Sequence, residues 1–254
     1  MHDSWNKKSG VKAHGVARVI SKRGYCSRSQ AEALVREGRV SLCGKIVTNP
    51  EAPTLETDKI TVDGKPVIAN KFIYFMMNKP RGYVTTANDE KGRATVMDLF
   101  REQFAKIFPG EPVPHISPVG RLDAASEGLL LFTNDTEWAN LTLTAHTKVY
   151  RVQVTGHPTA EHLAQMEKGF NVPPRVFGEP EEFMHAVSAK LHSEGEKNCW
   201  LEIVLDEGKN REIRRMLAHL GYDVLRLVRI KFAGYELGDL KSGEICELKI
   251  APRV

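Results

Sequence analysis

The run Leu129-Leu130-Leu131-Phe132 constrains this chain more than any other feature. Four bulky apolar side chains stand in a row. Gly128 closes the run on one side and Thr133-Asn134-Asp135 on the other. A short apolar run between turn residues predicts a strand buried on both faces. The segment before it, Gly120-Arg121-Leu122-Asp123-Ala124-Ala125-Ser126, is then a loop anchored on a rigid core element. If residues 121–123 are extended, Arg121 and Asp123 point the same way. A guanidinium beside a carboxylate favours the ionised acid. An anionic Asp on such a loop is a candidate nucleophile or base. The same pair on an open surface is only an ion pair, worth about 0–1 kcal/mol, and the spacing alone leaves both readings open.

The segment as a whole carries more. Gly120-Arg121-Leu122-Asp123, then Ser126-x-Gly128-Leu129-Leu130, then Thr133-Asn134-Asp135, resembles the active-site motif of the RsuA-type RNA pseudouridine synthases. The resemblance implies that Asp123 is the catalytic residue and that Arg121 helps hold a flipped-out nucleotide. Two positions depart from the family pattern. Ser126 stands where Thr is usual, and Thr136 follows Asp135 where Gly is usual.

At 254 residues the length prior is about two domains. With 41% hydrophobic and 27% charged residues, the chain fits a soluble globular protein with a sizeable core. A net charge of +4 permits a polyanionic partner without demanding one. Cys26, Cys43, Cys199 and Cys246 lie far apart with no C-x-x-C pair. That spacing argues against a zinc knuckle and gives no reason for a disulfide framework, so a reducing cytoplasm is expected. No apolar run approaches the ~18 residues of a membrane span. Residues 1–14 are polar, lack an apolar signal core, and are expected to be a disordered tail.

Residues 15–68 read as a small unit of two helices and short strands. Val16, Val19 and Ile20 give the first helix its apolar spacing, and Gly24 stops it. Ser27 with Gln30 is a capping-box pattern opening the second helix, which Gly38 ends. Cys43-Gly44 and Asp63-Gly64 mark tight turns between strands. The stretch Gly24-x-Cys26-Ser27-Arg28, continuing through Gly44-Lys45-x-Val47 to Val62-Asp63-Gly64, is similar to the RNA-binding module named after ribosomal small-subunit protein four. Its candidate RNA contacts are Arg18, Lys22, Arg23, Arg28 and Arg36. Scattered basic residues on helices are more commonly a solvated face. Binding through phosphates would weaken as salt rises.

After a linker at 69–71, residues 72–254 are expected to form the catalytic domain. Residues 72–77 read as a strand, broken by a turn at Asn78-Lys79-Pro80-Arg81-Gly82 in which Lys79 could meet a phosphate. Residues 100–114 read as a family-variable insertion, and 172–197 as less regular. Residues 149–155 alternate as a strand carrying Tyr150. The resemblance makes Tyr150 the tyrosine that packs on the target base and acts in proton transfer; a strand Tyr is otherwise core filling.

Residues 206–216 are the second chemical stretch. Asn210 is the expected N-cap of a helix with Ile213, Met216, Leu217 and Leu220 as its apolar stripe. Arg211, Arg214 and Arg215 share one face near its start, where like charges oppose the helix dipole and one another. That conflict implies an anionic partner, unless Glu207 and Glu212 relieve a merely solvated face. The resemblance makes Arg214 the partner of Asp123, with Arg211 and Arg215 left for RNA phosphates.

The expected architecture is therefore α+β: a small N-terminal two-helix RNA-binding module, then a pseudouridine synthase domain on a mixed or antiparallel sheet. The expected activity is isomerisation of uridine to pseudouridine in structured RNA, ribosomal or transfer, by a monomer without cofactor or metal. Two other classes stay open: a catalytically silent RNA-binding or ribosome-assembly protein, and a sugar or nucleoside hydrolase. The hydrolase needs a second carboxylate across the site, for which Asp135 is the nearest candidate in sequence.

Overall fold

The computed structural model describes residues 13–68, 71–86, 89, 91–144, 147–174, 176 and 178–249. The chain divides into two compact units. One runs up to Ile73 and takes in Pro114–Ile116 and Asn134–Thr136; the other is the remainder. The expected tail lies outside the described residues as far as position 12. His14 departs from it, pairing with Thr54 across a short ladder. Most of the linker expected at 69–71 also falls outside them.

The first unit contains β1 (His14–Gly15), α1 (Val16–Lys22), α2 (Arg28–Arg36), β2 (Val40–Leu42), β3 (Lys45–Val47), β4 (Pro53–Thr54), β5 (Ile60–Val62) and β6 (Lys65–Pro66). Ser27 and Gln30 close a reciprocal capping box at the start of α2. That satisfies two amide donors which a helix start otherwise leaves orphaned. Both expected hairpin turns form, with Cys43-Gly44 and Asp63-Gly64 at positive φ, so β3, β2, β5 and β6 pair in that order. Val16, Val19 and Ile20 from α1, Ala31 and Val35 from α2, and Val40, Ile60 and Val62 from the strands make one core.

The second unit is built on a mixed sheet. It holds β7 (Tyr74–Lys79), α3 (Val96–Ile107), β8 (Ser117–Val119), β9 (Glu127–Thr133), α4 (Thr136–Thr144), β10 (Lys148–Thr155), α5 (Ala160–Lys168), β11 (Phe170–Val172), β12 (Glu182–Met184), β13 (Ser188–Glu194), β14 (Asn198–Leu205), α6 (Glu212–His219), β15 (Val224–Phe232), β16 (Tyr235–Glu236) and β17 (Ile245–Glu247). Among the described residues nine strands join, in the order β13-β14-β10-β15-β9-β7-β17, with β8 on β9 and β16 on β15. The β9–β15 pair is parallel and the rest antiparallel. The apolar run is β9: Leu129 to Phe132 are all fully buried, and β7, β8 and β15 flank it.

Two sequence expectations change here. Residues 100–107, read from sequence as part of an insertion, form the larger part of α3. Thr95 and Asp98 cap that helix reciprocally, and Phe100 and Phe104 carry its buried face into a ring cluster with Phe75, while Phe100 also stacks on Phe132. The helical spacing of Val96, Phe100 and Phe104 was hidden by the charges between them. Residues 172–197 hold the last residue of β11, then β12 and β13, whose exposed outward positions blur the alternation.

Candidate active site

Asp123 stands on the loop that leads into β9, and the main chain of that loop is fastened at every carbonyl from 122 to 126. The Leu122 carbonyl accepts from the Thr85 hydroxyl at 2.6 Å. The Asp123 carbonyl accepts from Lys79 Nζ at 3.1 Å and from the Ser126 amide at 2.9 Å. The Ala124 carbonyl accepts from the Gly82 amide at 2.7 Å. The Ala125 carbonyl accepts from Arg214 Nη2 at 3.0 Å, and the Ser126 carbonyl from Lys79 Nζ at 2.7 Å. A loop whose carbonyls are all engaged with donors cannot drift cheaply, because each lost bond strands an acceptor. The geometry of the Asp123 carboxylate is thus set before any substrate arrives.

Lys79 was expected in a turn, facing a phosphate. It is instead the last residue of β7, on the same inward face as Phe75 and Met77, and is 0% exposed. Alternation simply continues two residues further than the apolar letters do. Its ammonium meets three carbonyls, those of Pro80, Asp123 and Ser126. Burial pushes its pKa down to about 8, opposed by the negative charges of Asp123 and Glu127.

The arginines divide differently from the expectation. Arg211 forms the ion pair with Asp123, at 3.7 Å. It occupies the N-cap position of α6 that Asn210 was expected to hold, with a left-handed φ of 53°, a strained conformation for a side chain of this size. Arg214 makes no such pair: it spends its donors on the Ala125 and Val224 carbonyls. It lies close enough for the Asp123 charge to act on it, while burial, Arg211 and Arg81 together hold its pKa below the usual guanidinium range. Arg215, expected to meet phosphates, binds Glu182 and the Pro173 carbonyl and is largely covered. The reason is rotational: 214 and 215 turn toward the sheet with the apolar stripe, leaving 211 at the helix mouth.

These groups open onto a cleft of about 490 Å³, lined by Gly120, Arg121, Asp123, Tyr150 and Arg211 and by four side chains that sequence reading did not assign, Lys148, Glu207, Glu212 and Arg229. Arg121 is exposed there. Tyr150 is 8% exposed, so its ring is a wall of the cleft. Lys148 is two residues from Tyr150 on one strand face, a period-two signal present in the sequence. Arg229 comes opposite Tyr150 only through the β10–β15 register. Gly128 makes that packing possible: a Cβ on it would come within 2.3 Å of the Arg229 carbonyl oxygen. Glu212 is buried, and burial followed by the neighbouring Glu207 carboxylate raises its pKa to about 8. Asp135 is buried ahead of α4 and does not line the cleft.

In the first unit the five basic candidates are mostly engaged within the module. Arg23 donates to the Val67, Glu56 and Asp58 carbonyls, and Lys22 pairs with Glu56. Arg28 meets Glu32 and Glu51, and Arg36 meets Glu32. Arg18 is exposed on α1.

A rigidly presented carboxylate, an arginine pairing with it, a tyrosine wall and a cationic surround define a carboxylate-dependent enzyme suited to an anionic substrate. Comparison with known proteins gives the class its family. The model of RNA pseudouridylate synthases matches residues 73–219, and that of the S4 domain residues 16–60. Ribosomal large subunit pseudouridine synthase B of Bacillus subtilis is 35% identical over 91% of this chain and 90% of its own. An uncharacterized RNA pseudouridine synthase of Rickettsia prowazekii is 33% identical over 92% of this chain and 93% of its own. A solved pseudouridylate synthase superposes with a TM-score of 0.59 at 25% identity, over 93% of this chain and 96% of that one. The chain belongs to the RNA pseudouridylate synthase family, as an RNA-binding enzyme that isomerises uridine to pseudouridine.

Proposed function

We propose that the substrate is a uridine of ribosomal RNA, in the large subunit, and that Asp123 carries the chemistry. The observation that supports the role of Asp123 most is the complete fastening of carbonyls 122–126, which holds its side chain at the cleft. A purely RNA-binding protein has no use for a carboxylate held so firmly against an anionic partner. Asp135, the acid named for the hydrolase reading, does not line the cleft.

Paired uridine is inaccessible inside a helix, so the target is flipped into the cleft. Arg121, exposed at the cleft, holds the flipped-out state. Tyr150 takes the base against its ring and serves in proton transfer. Arg211 pairs with the Asp123 carboxylate and helps to position it at the cleft. Arg214 and Lys79 act through the main chain. Arg18 and neighbouring exposed cations of the first unit meet phosphates, and affinity falls with rising salt. All four cysteines are free thiols, which supports a reducing, cytoplasmic setting.

The test is incubation of the protein with separate large-subunit, small-subunit and transfer RNA transcripts, followed by mapping of pseudouridine. A single modified site in large-subunit RNA is the expected result. Modification confined to small-subunit or transfer RNA overturns the substrate assignment.

A further inference from the structure

Arg229 is 2% exposed, yet it lines the cleft with Asp123 and Tyr150. Its Nε donates to the Leu129 carbonyl at 2.8 Å, and its guanidinium lies 4.6 Å from the centre of the Phe232 ring. Among the described residues no carboxylate pairs with it, and its Nη2 is buried without a hydrogen-bond partner. Tyr150 is its neighbour across the strand register, and the Tyr150 hydroxyl accepts a hydrogen bond from it and partly compensates its charge. Lys148 Nζ approaches the same Phe232 ring at 5.7 Å. Burying a cation that has no carboxylate partner is expensive. A neutral side chain could brace β9 against β15 at less cost.

The isomerisation itself calls for a cation there. On the route in which Asp123 attacks the ribose, the C1′–N1 bond breaks with its electron pair on the base as the Asp123 oxygen bonds to C1′, so the detached uracil is an anion with charge on O2 and O4. Closure forms the C5–C1′ bond and breaks the Asp123–C1′ ester, which returns the carboxylate; a proton leaves C5 and one is taken up at N1, and the sum is neutral. While detached, the anion shares the cleft with the Asp123 ester. Arg211 is already engaged with Asp123, and Arg214 and Lys79 with main-chain carbonyls.

We infer that Arg229 is a catalytic residue: its buried Nη2 donates to a uracil oxygen and holds the detached base as an anion while it turns, with Tyr150 beside it. Preorganised donors aimed at transient charge are worth most in a site closed to water. The inference rests on the isomerase reading, so wild-type pseudouridine formation is measured in the same preparations; its absence would sink that reading, not this one.

Two measurements test it. In single-turnover assays Arg229→Gln is expected to slow isomerisation by about 100-fold or more, as loss of one such donor does, with RNA affinity within about threefold and Arg229→Lys recovering part of the rate. A folded Arg229→Gln within about threefold of wild-type rate overturns the proposal. The second measurement needs no variant. Wild-type protein should bind 5-nitrouracil, an anion at neutral pH, about tenfold or more tighter than uracil. The Arg229 Nε–H resonance should move with the nitro compound only. Equal binding, or a resonance indifferent to both, overturns the proposal even if Arg229→Gln fails to fold.

Discussion

Lys79 Nζ donates to the main-chain carbonyl of Asp123 at 3.1 Å, from a side chain with no exposed surface. A lysine is an unusual strut, because burying an ammonium costs several kcal/mol unless its donors are met. Here three carbonyls meet them, and two belong to the loop of the reactive carboxylate.

Replacing Lys79 with Met should therefore act on the loop before it acts on the fold. The variant leaves buried carbonyls unpaired, at about 1–3 kcal/mol each, set against the desolvation no longer incurred. We expect a turnover loss of about 100-fold with RNA affinity nearly unchanged. The pH dependence has a definite sign. The ordinary lysine value of 10.5 falls to about 8 in the folded protein, so between those values the unfolded chain binds more protons. Wild-type stability relative to Lys79→Met should rise across that window and fall as pH drops through about 8. Urea midpoints of both proteins at pH 7 to 10.5 check this, and parallel midpoints would contradict it.

Arg211 and Arg214 should separate kinetically. Arg211 touches the carboxylate itself at the mouth of the cleft, so Arg211→Ala should weaken affinity for the anionic substrate as well as turnover, since it removes a cation from the cleft. Arg214 fixes the Ala125 and Val224 carbonyls. Arg214→Ala should lower turnover by about tenfold or more with affinity nearly unchanged, and Arg214→Lys should recover only part, lacking the planar fork. Equal losses of affinity and turnover in the two alanine variants would place both arginines in one role.

Much of this was legible in the sequence. Leu129 to Phe132 announced the central strand, and Ser27-Gln30 and Asp63-Gly64 announced a cap and a turn, because each signal is local and made by neighbouring residues. Asp123 and Tyr150 were named through resemblance, and both line the cleft. The roles of Lys79, Arg211 and Arg214 were exchanged for a reason equally physical. Whether a basic side chain meets a carbonyl, a carboxylate or water depends on strand length and helix phase, and errors of one or two residues there reverse the outcome. Arg229 was out of reach: its place opposite Tyr150 comes from pairing strands about eighty residues apart.

Glu212 supplies a second pH signature. Burial and Glu207 raise it to about 8 from an ordinary 4.5, so the folded protein binds more protons between those values. Its contribution is present below about pH 4.5 and lost as pH rises through 8. Glu212→Gln should match wild type in stability near pH 5 and exceed it by pH 8.5. Denaturant midpoints at the two pH values measure this; a variant that falls behind at the higher pH would show that Glu212 is needed as an anion.

The most direct measurement is single-turnover pseudouridine formation by Asp123→Asn on the mapped target RNA, with binding followed in parallel. The amide keeps the shape, and the carbonyls of residues 122–126 keep their donors, so the protein should fold and bind RNA within about threefold of wild type. It cannot act as an anionic nucleophile or base, and product should fall below detection, a loss of at least about 10⁴-fold. Turnover within about tenfold of wild type would remove Asp123 from the chemistry and leave the fastened loop without a catalytic purpose.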